Sequence, residues 1–160
     1  MTRVIVRVAD LQVGREGDEL LTIGLGSCVA IILYDATARV GGLAHVLLPS
    51  PALTRVNERP GKVPQTAVPE LLAQMAALGA RADRTTARLV GGASMFASLT
   101  TAGTIQMGER NVVASRVVLA QHGLPITAEA VGGDFGRTVR LQTADGRVEI
   151  SSVSHGTSDL

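Results

Sequence analysis

One cysteine and three histidines are all the thiol and imidazole in this sequence, and two of them, Cys28 and His45, share the stretch from Thr22 to Pro49. That stretch reads TIGLGSCVAIILYDATARVGGLAHVLLP and is otherwise largely apolar and glycine-rich. Acyl chemistry by sulfur needs a thiolate, a nearby imidazole and backbone N–H groups free to hold an oxyanion. Gly24 and Gly26 leave the N–H groups around Ser27 and Cys28 unobstructed, which makes Gly26 and Ser27 the candidate oxyanion support. A third group that orients the base completes such a site. Thr22, beyond a bend at Gly24 and Gly26, offers a hydroxyl or a carbonyl to the second imidazole nitrogen.

The elements that must position these groups form a hairpin. Val29 to Tyr34 is a continuous apolar, β-branched run, the pattern of a strand buried on both faces. Asp35 to Arg39 reads as a polar turn, and Val40 to Leu48 as the returning strand, stopped by Pro49 and Pro51. If the strands pair around that turn, residue numbers summing to about 73 or 74 face each other, and His45 lies opposite Cys28 or Val29. Opposed residues have Cβ atoms roughly 4.5–5.5 Å apart, within reach of a thiol–imidazole hydrogen bond. Beside imidazolium, a thiol of ordinary pKa about 8.5 is expected to shift toward thiolate. Without such a hairpin, a lone cysteine is more often a small buried hydrophobe, and a lone histidine in an apolar strand a satisfied core residue.

Other chemistries fit less well. Gly24 and Gly26 resemble the start of a dinucleotide fingerprint, but Val29 stands where the third glycine belongs and a strand follows, not a helix. Ser27 lacks the G-x-S-x-G elbow, again because of Val29. His45, His122 and His155 offer no metal-ligand pair at helical or hairpin spacing, so neither metal nor cofactor is expected.

The rest of the chain supplies a scaffold. Val4 to Val8 and Leu20 to Leu25 read as strands, and Ser50 to Pro64 as a long surface loop. A helix is expected over Thr66 to Leu78, capped by Thr66, ended by Gly79 and burying Val68, Leu71, Leu72, Met75 and Leu78. Arg88 to Val90 reads as a strand running into Gly91-Gly92, and Thr100 to Gly108 as a polar loop. A second helix over Glu109 to Gln121 is expected to bury Val113, Val117 and Ala120. Ile126 to Val131, Thr138 to Thr143 and Arg147 to Ser151 complete the strands, the last two joined at Asp145-Gly146, and the tail 152–160 is expected to be flexible. Seven to nine strands gathered in hairpins, with two helices, indicate an α+β fold in a single domain spanning 1–160.

Bulk composition narrows the function. The net charge is +1 with scattered arginines, and aromatic residues make up 2% of the chain, which argues against a nucleic-acid partner. A single cysteine forms no internal disulfide, and no apolar run reaches the ~20 residues of a membrane span. The expectation is a soluble, cytoplasmic protein without membrane insertion.

At this point the residues resemble a known family, the CheD chemoreceptor glutamine deamidases of chemotaxis. The resemblance rests on Thr22-Ile-Gly-Leu-Gly-Ser-Cys28, Tyr34-Asp35, Gly41-Gly-Leu-Ala-His45 and Pro49. It continues through Lys62, the Pro69-Glu-Leu-Leu helix with Leu78-Gly79-Ala80, Gly91-Gly-Ala-Ser-Met-Phe96, Gly108-Glu-Arg-Asn111, Gly132-Gly and Gly136-Arg137. It implies a Cys28–His45–Thr22 triad that converts glutamine to glutamate on the cytoplasmic helices of chemoreceptors. It also implies an α/β/β/α-type sandwich of mixed or antiparallel sheets with two helices outside, and a CheC-type phosphatase as partner. Val63, Pro64 and Gln65 depart from the family's pattern after Lys62, which bears on substrate or partner preference. Two other readings stay open: a binding module with weak or no catalysis, and a methylesterase acting on receptor glutamyl esters.

Overall fold

A computed structural model describes residues 2–56, 59–95 and 105–160. Parts of the expected 50–64 loop and most of the expected 100–108 loop, with Phe96, lie outside the described residues. Ten strands and two α-helices are present among those described. In chain order they are β1 (Arg3–Ile5), β2 (Leu11–Gly14), β3 (Glu19–Leu25), β4 (Val29–Asp35), β5 (Val40–Val46), α1 (Pro64–Ala77), β6 (Thr85–Gly91), α2 (Met107–Gln121), β7 (Ile126–Val131), β8 (Arg137–Gln142), β9 (Val148–Ser152) and β10 (Gly156–Asp159).

The strands form two mixed five-stranded sheets, ordered β1-β3-β8-β9-β10 and β2-β5-β4-β6-β7. Only the β1–β3 and β6–β7 pairs are parallel. Strand β4 lies at the centre of the second sheet and is buried along its whole length, as its unbroken apolar run requires. Its alternate residues serve two cores. Val29, Ile31 and Leu33 pack with Ala67, Val68, Leu71 and Met75 of α1 and with Val118 and Leu119 of α2. Ala30, Ile32 and Tyr34 face the first sheet and meet Leu20, Leu25, Val139, Leu141 and Ile150. The result is the α+β sandwich of mixed sheets with two helices outside. Both helices cover the same face of the second sheet, so the layers run helix, sheet, sheet, and the second helical layer of an α/β/β/α order is absent among the described residues.

Three local expectations are corrected and one strand is added. The tail does not fray from Ser152: after a turn, β10 pairs antiparallel with β9, Arg147 bonds Asp159, and Leu160 packs against the inter-sheet core. Strand β2, four residues long, pairs with β5 in a stretch for which the sequence carried no expectation. Helix α1 starts at Pro64, which suits a first-turn position where no N–H is needed. Thr66 does not cap it, its hydroxyl donating instead to the Pro60 carbonyl at 2.6 Å. Helix α2 buries Asn111, Val112, Ser115, Val118 and Leu119, leaving Val113 and Val117 half exposed. Two polar residues on the buried stripe hide it from a hydrophobicity reading, because both find partners inside: Ser115 donates to the Asn111 carbonyl, and Asn111 reaches across to the second sheet.

Candidate active site

The hairpin pairs in a register of its own. Val29 faces Val46, Ala30 faces His45 and Asp35 faces Val40. His45 is therefore opposite Ala30, not opposite Cys28 or Val29 as the turn arithmetic expected. The cause lies at the other end of the hairpin. Asp35 is the last residue of β4 and not the first of the turn, because its carboxylate accepts the Thr37 and Ala38 N–H groups at 2.9 and 3.1 Å and caps the reversal from within the strand. The shift keeps the two groups together. Cys28 precedes Ala30 by two, so it shares a face with His45 as a diagonal neighbour, at a spacing of about 7–8 Å between backbones and less between side chains. A slip by a single residue would have sent His45 to the opposite face.

His45 is fully buried, and its environment fixes its protonation pattern. The Thr22 hydroxyl donates to the Val6 carbonyl at 2.6 Å, since a carbonyl can only accept. The same oxygen lies 2.7 Å from His45 Nδ1, and with the hydroxyl proton already committed it must accept there. Nδ1 therefore carries the ring proton, and Nε2 is the bare nitrogen. Nε2 is buried and has no hydrogen-bond partner among the described residues. The backbone of His45 is held as firmly: its N–H donates to the Asp10 carbonyl at 3.0 Å, and its carbonyl accepts from Ala9 at 2.9 Å. The segment from Val6 to Asp10 thus crosses between the sheets and fixes both Thr22 and His45.

Burial sets the resting charge. It lowers the His45 pKa to about 4 and raises that of the half-buried Cys28 thiol, the latter partly countered by the residue's own N–H. Both shifts favour thiol and neutral imidazole over the thiolate–imidazolium pair expected from the sequence, because a charge at either group must be taken out of water.

The loop bearing Cys28 is held through three consecutive carbonyls. Gly26 accepts from the Ala93 N–H and Cys28 from the Gly92 N–H, each at 2.8 Å. Ser27 accepts from Asn111 Nδ2 at 2.9 Å. Gly91 has φ +110, and a Cβ there would collide with the Cys28 carbonyl oxygen, so only glycine lets β6 approach this closely. Gly24, at φ +76, sits in the irregularity between Thr22 and Leu25 where β3 shifts register against β8, the bend expected from the two glycines. Two open cavities flank the loop. One of about 510 Å³ is bordered by Ile23, Phe135, Arg137 and Val153, and another of about 190 Å³ by Ser27, Ser94, Met95 and Gly108. Ile23, Met95 and Val153 are exposed apolar side chains on these rims. Among the described residues no group of three or more His, Cys, Asp and Glu could hold a metal ion.

Thr22, Cys28 and His45 are thus gathered at one end of the hairpin, with Gly26 and Ser27 in the same loop. A family model described as CheD chemotactic sensory transduction matches residues 47–152. The chain belongs to the CheD family. Relatives carrying the name "probable chemoreceptor glutamine deamidase CheD" match it over most of its length. The Methanococcus maripaludis protein is 43% identical over 91% of this chain and 92% of its own. That of Caldanaerobacter subterraneus is 41% identical over 94% and 93%, and that of Clostridium botulinum 39% identical over 97% and 96%. The family model begins after His45, but matches of this extent reach back across Thr22, Cys28 and His45 as well. A Neisseria meningitidis protein of the DUF152 family shares the fold at a TM-score of 0.53 and 10% identity, over 84% of this CheD chain and 65% of that one.

Asn111 is the site residue that the functional reading of the sequence did not single out. It stood within the Gly108-Glu-Arg-Asn111 motif, but its partners belong to segments far away in the chain. Only the tertiary structure shows that it touches both arms of the hairpin.

Proposed function

We propose that this chain is a chemoreceptor glutamine deamidase working by a Cys28–His45–Thr22 mechanism. One observation carries the reading: the buried, unpartnered Nε2 of His45 shares a face with Cys28 while Thr22 holds the opposite nitrogen. In a folded protein an orphaned buried acceptor costs about 1–3 kcal/mol, and a proton to be received is a reason to keep one.

As a receptor glutamine enters, the Cys28 proton passes to Nε2 and the sulfur attacks the carboxamide carbon. The carbonyl π bond opens to an oxyanion, held by backbone N–H groups of the Gly26–Cys28 loop. Nε2–H then protonates the amide nitrogen, the C–N bond breaks and ammonia departs, leaving a thioester. Water gives a proton to Nε2 and attacks the thioester carbon, and the departing sulfur recovers that proton, leaving glutamate. Throughout, Thr22 accepts from Nδ1, and its own donation to Val6 polarises it for the moment the ring becomes cationic. The neutral resting pair keeps the thiol protonated until substrate displaces water.

The deamidase names of the relatives support the substrate class. The exposed Ile23, Met95 and Val153 around the loop suit an amphipathic helical partner. No helix among the described residues is long and apolar enough to cross a membrane, and the reading places the protein in the cytoplasm beside the receptors' helical domains. A CheC-type phosphatase partner rests on the family resemblance. The test is incubation with a purified receptor cytoplasmic fragment, read by mass spectrometry and by ammonia against methanol release. Wild-type protein is expected to convert glutamine to glutamate with ammonia, and Cys28→Ala to convert none. Undiminished conversion by Cys28→Ala would overturn the mechanism, and methanol from methylated receptor without ammonia would replace deamidation by ester hydrolysis.

A further inference from the structure

The β4–β5 ladder ends at Val29 and Val46. Its next pair would be Cys28 and Leu47, but the strands part there. The Leu47 and Leu48 N–H groups both turn to the Lys62 carbonyl, at 3.0 and 3.1 Å. On the other arm, the Gly26 and Cys28 carbonyls are taken by the N–H groups of Ala93 and Gly92, the two residues that follow β6, leaving the Ser27 carbonyl between them. Ser27 and Leu47 thus present two carbonyl oxygens across the opening with no backbone donor between them among the described residues. Asn111 fills the gap. It is fully buried on α2, and its Nδ2 donates to Ser27 at 2.9 Å and to Leu47 at 3.1 Å.

We infer that Asn111 is a positioning residue for the Cys28–His45 pair, a double donor that sets the distance between the arm carrying the nucleophile and the arm carrying the base. The inference rests on the proposed mechanism for its purpose, but not for its geometry. Asn111 approaches from the helix-covered face, whereas Cys28 faces the inter-sheet core, so it acts through the backbone and does not reach substrate. Its chemistry is specific. Two acceptors bridged by one atom need an –NH2, which serine, with one proton, cannot replace and aspartate, with none, would oppose. Tight packing sets its height: a Cβ on Gly108, one turn earlier in α2, would collide with the carbonyls of Gly92 and Ala93.

The test is the rate of Cys28 alkylation by iodoacetamide, which needs no receptor, in wild type, His45→Gln, Asn111→Ala and the double variant. His45→Gln is expected to slow alkylation at least about tenfold in the wild-type background, the loss of a general base. In the Asn111→Ala background the same substitution is expected to change it less than about twofold, since a base already out of register has little left to lose. On receptor, Asn111→Ala is expected to lower kcat by about ten- to a hundredfold with KM nearly unchanged. An unchanged His45 dependence in folded Asn111→Ala would overturn the inference while leaving deamidation by wild type intact. Deamidation absent from wild type, with the coupling present, would remove the proposed function and leave the positioning role. Should Asn111→Ala not fold, Asn111→Ser takes its place, and hydrogen exchange reads the bridge in wild type directly. Both Asn111 side-chain protons are expected to exchange at least about tenfold more slowly than those of exposed Gln121, and equal rates would overturn the bridge.

Discussion

At its closed end the β4–β5 hairpin leaves no side-chain atom of Asp35 wanting. The carboxylate is fully buried and accepts from Thr37, Ala38 and Arg81 N–H groups and from the Arg84 guanidinium. Burial alone would raise its pKa, yet those donors outweigh it and hold the carboxyl below its ordinary value. At the open end, the same two strands carry His45 Nε2 without a partner among the described residues, and the Asn111 bridge beside them leaves Oδ1 equally bare among them. Polar groups are buried at both ends, and only one end is satisfied. The closed end sets the register, and that register puts His45 and Cys28 on one face. The open end keeps the unsatisfied acceptor that chemistry can use.

Breaking each end separates the two roles. His45→Gln is expected to have the largest effect, a loss of about 10²–10⁴ in kcat, because the proton acceptor is gone. It should also flatten the acid response. A histidine whose folded pKa lies near 4 instead of 6.5 stays neutral while the unfolded chain takes up its proton, so stability is lost as pH falls from about 6.5 toward 4. Thermal unfolding across that window is expected to show a shallower decline in His45→Gln than in wild type, and equal slopes would deny the buried neutral ring.

Asp35→Asn attacks the other end. Replacing a charged acceptor is expected to remove about 1.5–3 kcal/mol of stability in denaturant unfolding. If the register holds, kcat of the folded fraction stays within about twofold of wild type, and a larger fall would mean that the closed end controls catalysis directly. Thr22→Val should lower kcat about tenfold by freeing the ring to take the other tautomer, a smaller loss than that of His45→Gln, with little change in KM. A loss as large as that of His45→Gln would make Thr22 more than an orienter.

Much of this was legible in the sequence because the informative residues are scarce. A single cysteine and one histidine in an apolar segment left few pairings to weigh, and the unbroken run of β4 announced a strand covered on both sides. The register was not legible, since it depends on a carboxylate folding back on its own turn, which moves Asp35 from turn to strand. The buried stripe of α2 was misread because Asn111 and Ser115 count as surface residues until their partners are seen. Strand β10 looked like a frayed tail because its pairing with β9 and the docking of Leu160 are tertiary. The resting charge followed from burial, which spacing cannot express.

Nitrogen-15 spectroscopy of His45 at neutral pH, assigned by comparison with His45→Gln, tests the centre of this account most directly. A neutral ring with the proton on Nδ1 and a bare Nε2 is the expected result. A proton on Nε2, or an imidazolium at that pH, would contradict it, because Cys28 would then have no base to receive its proton.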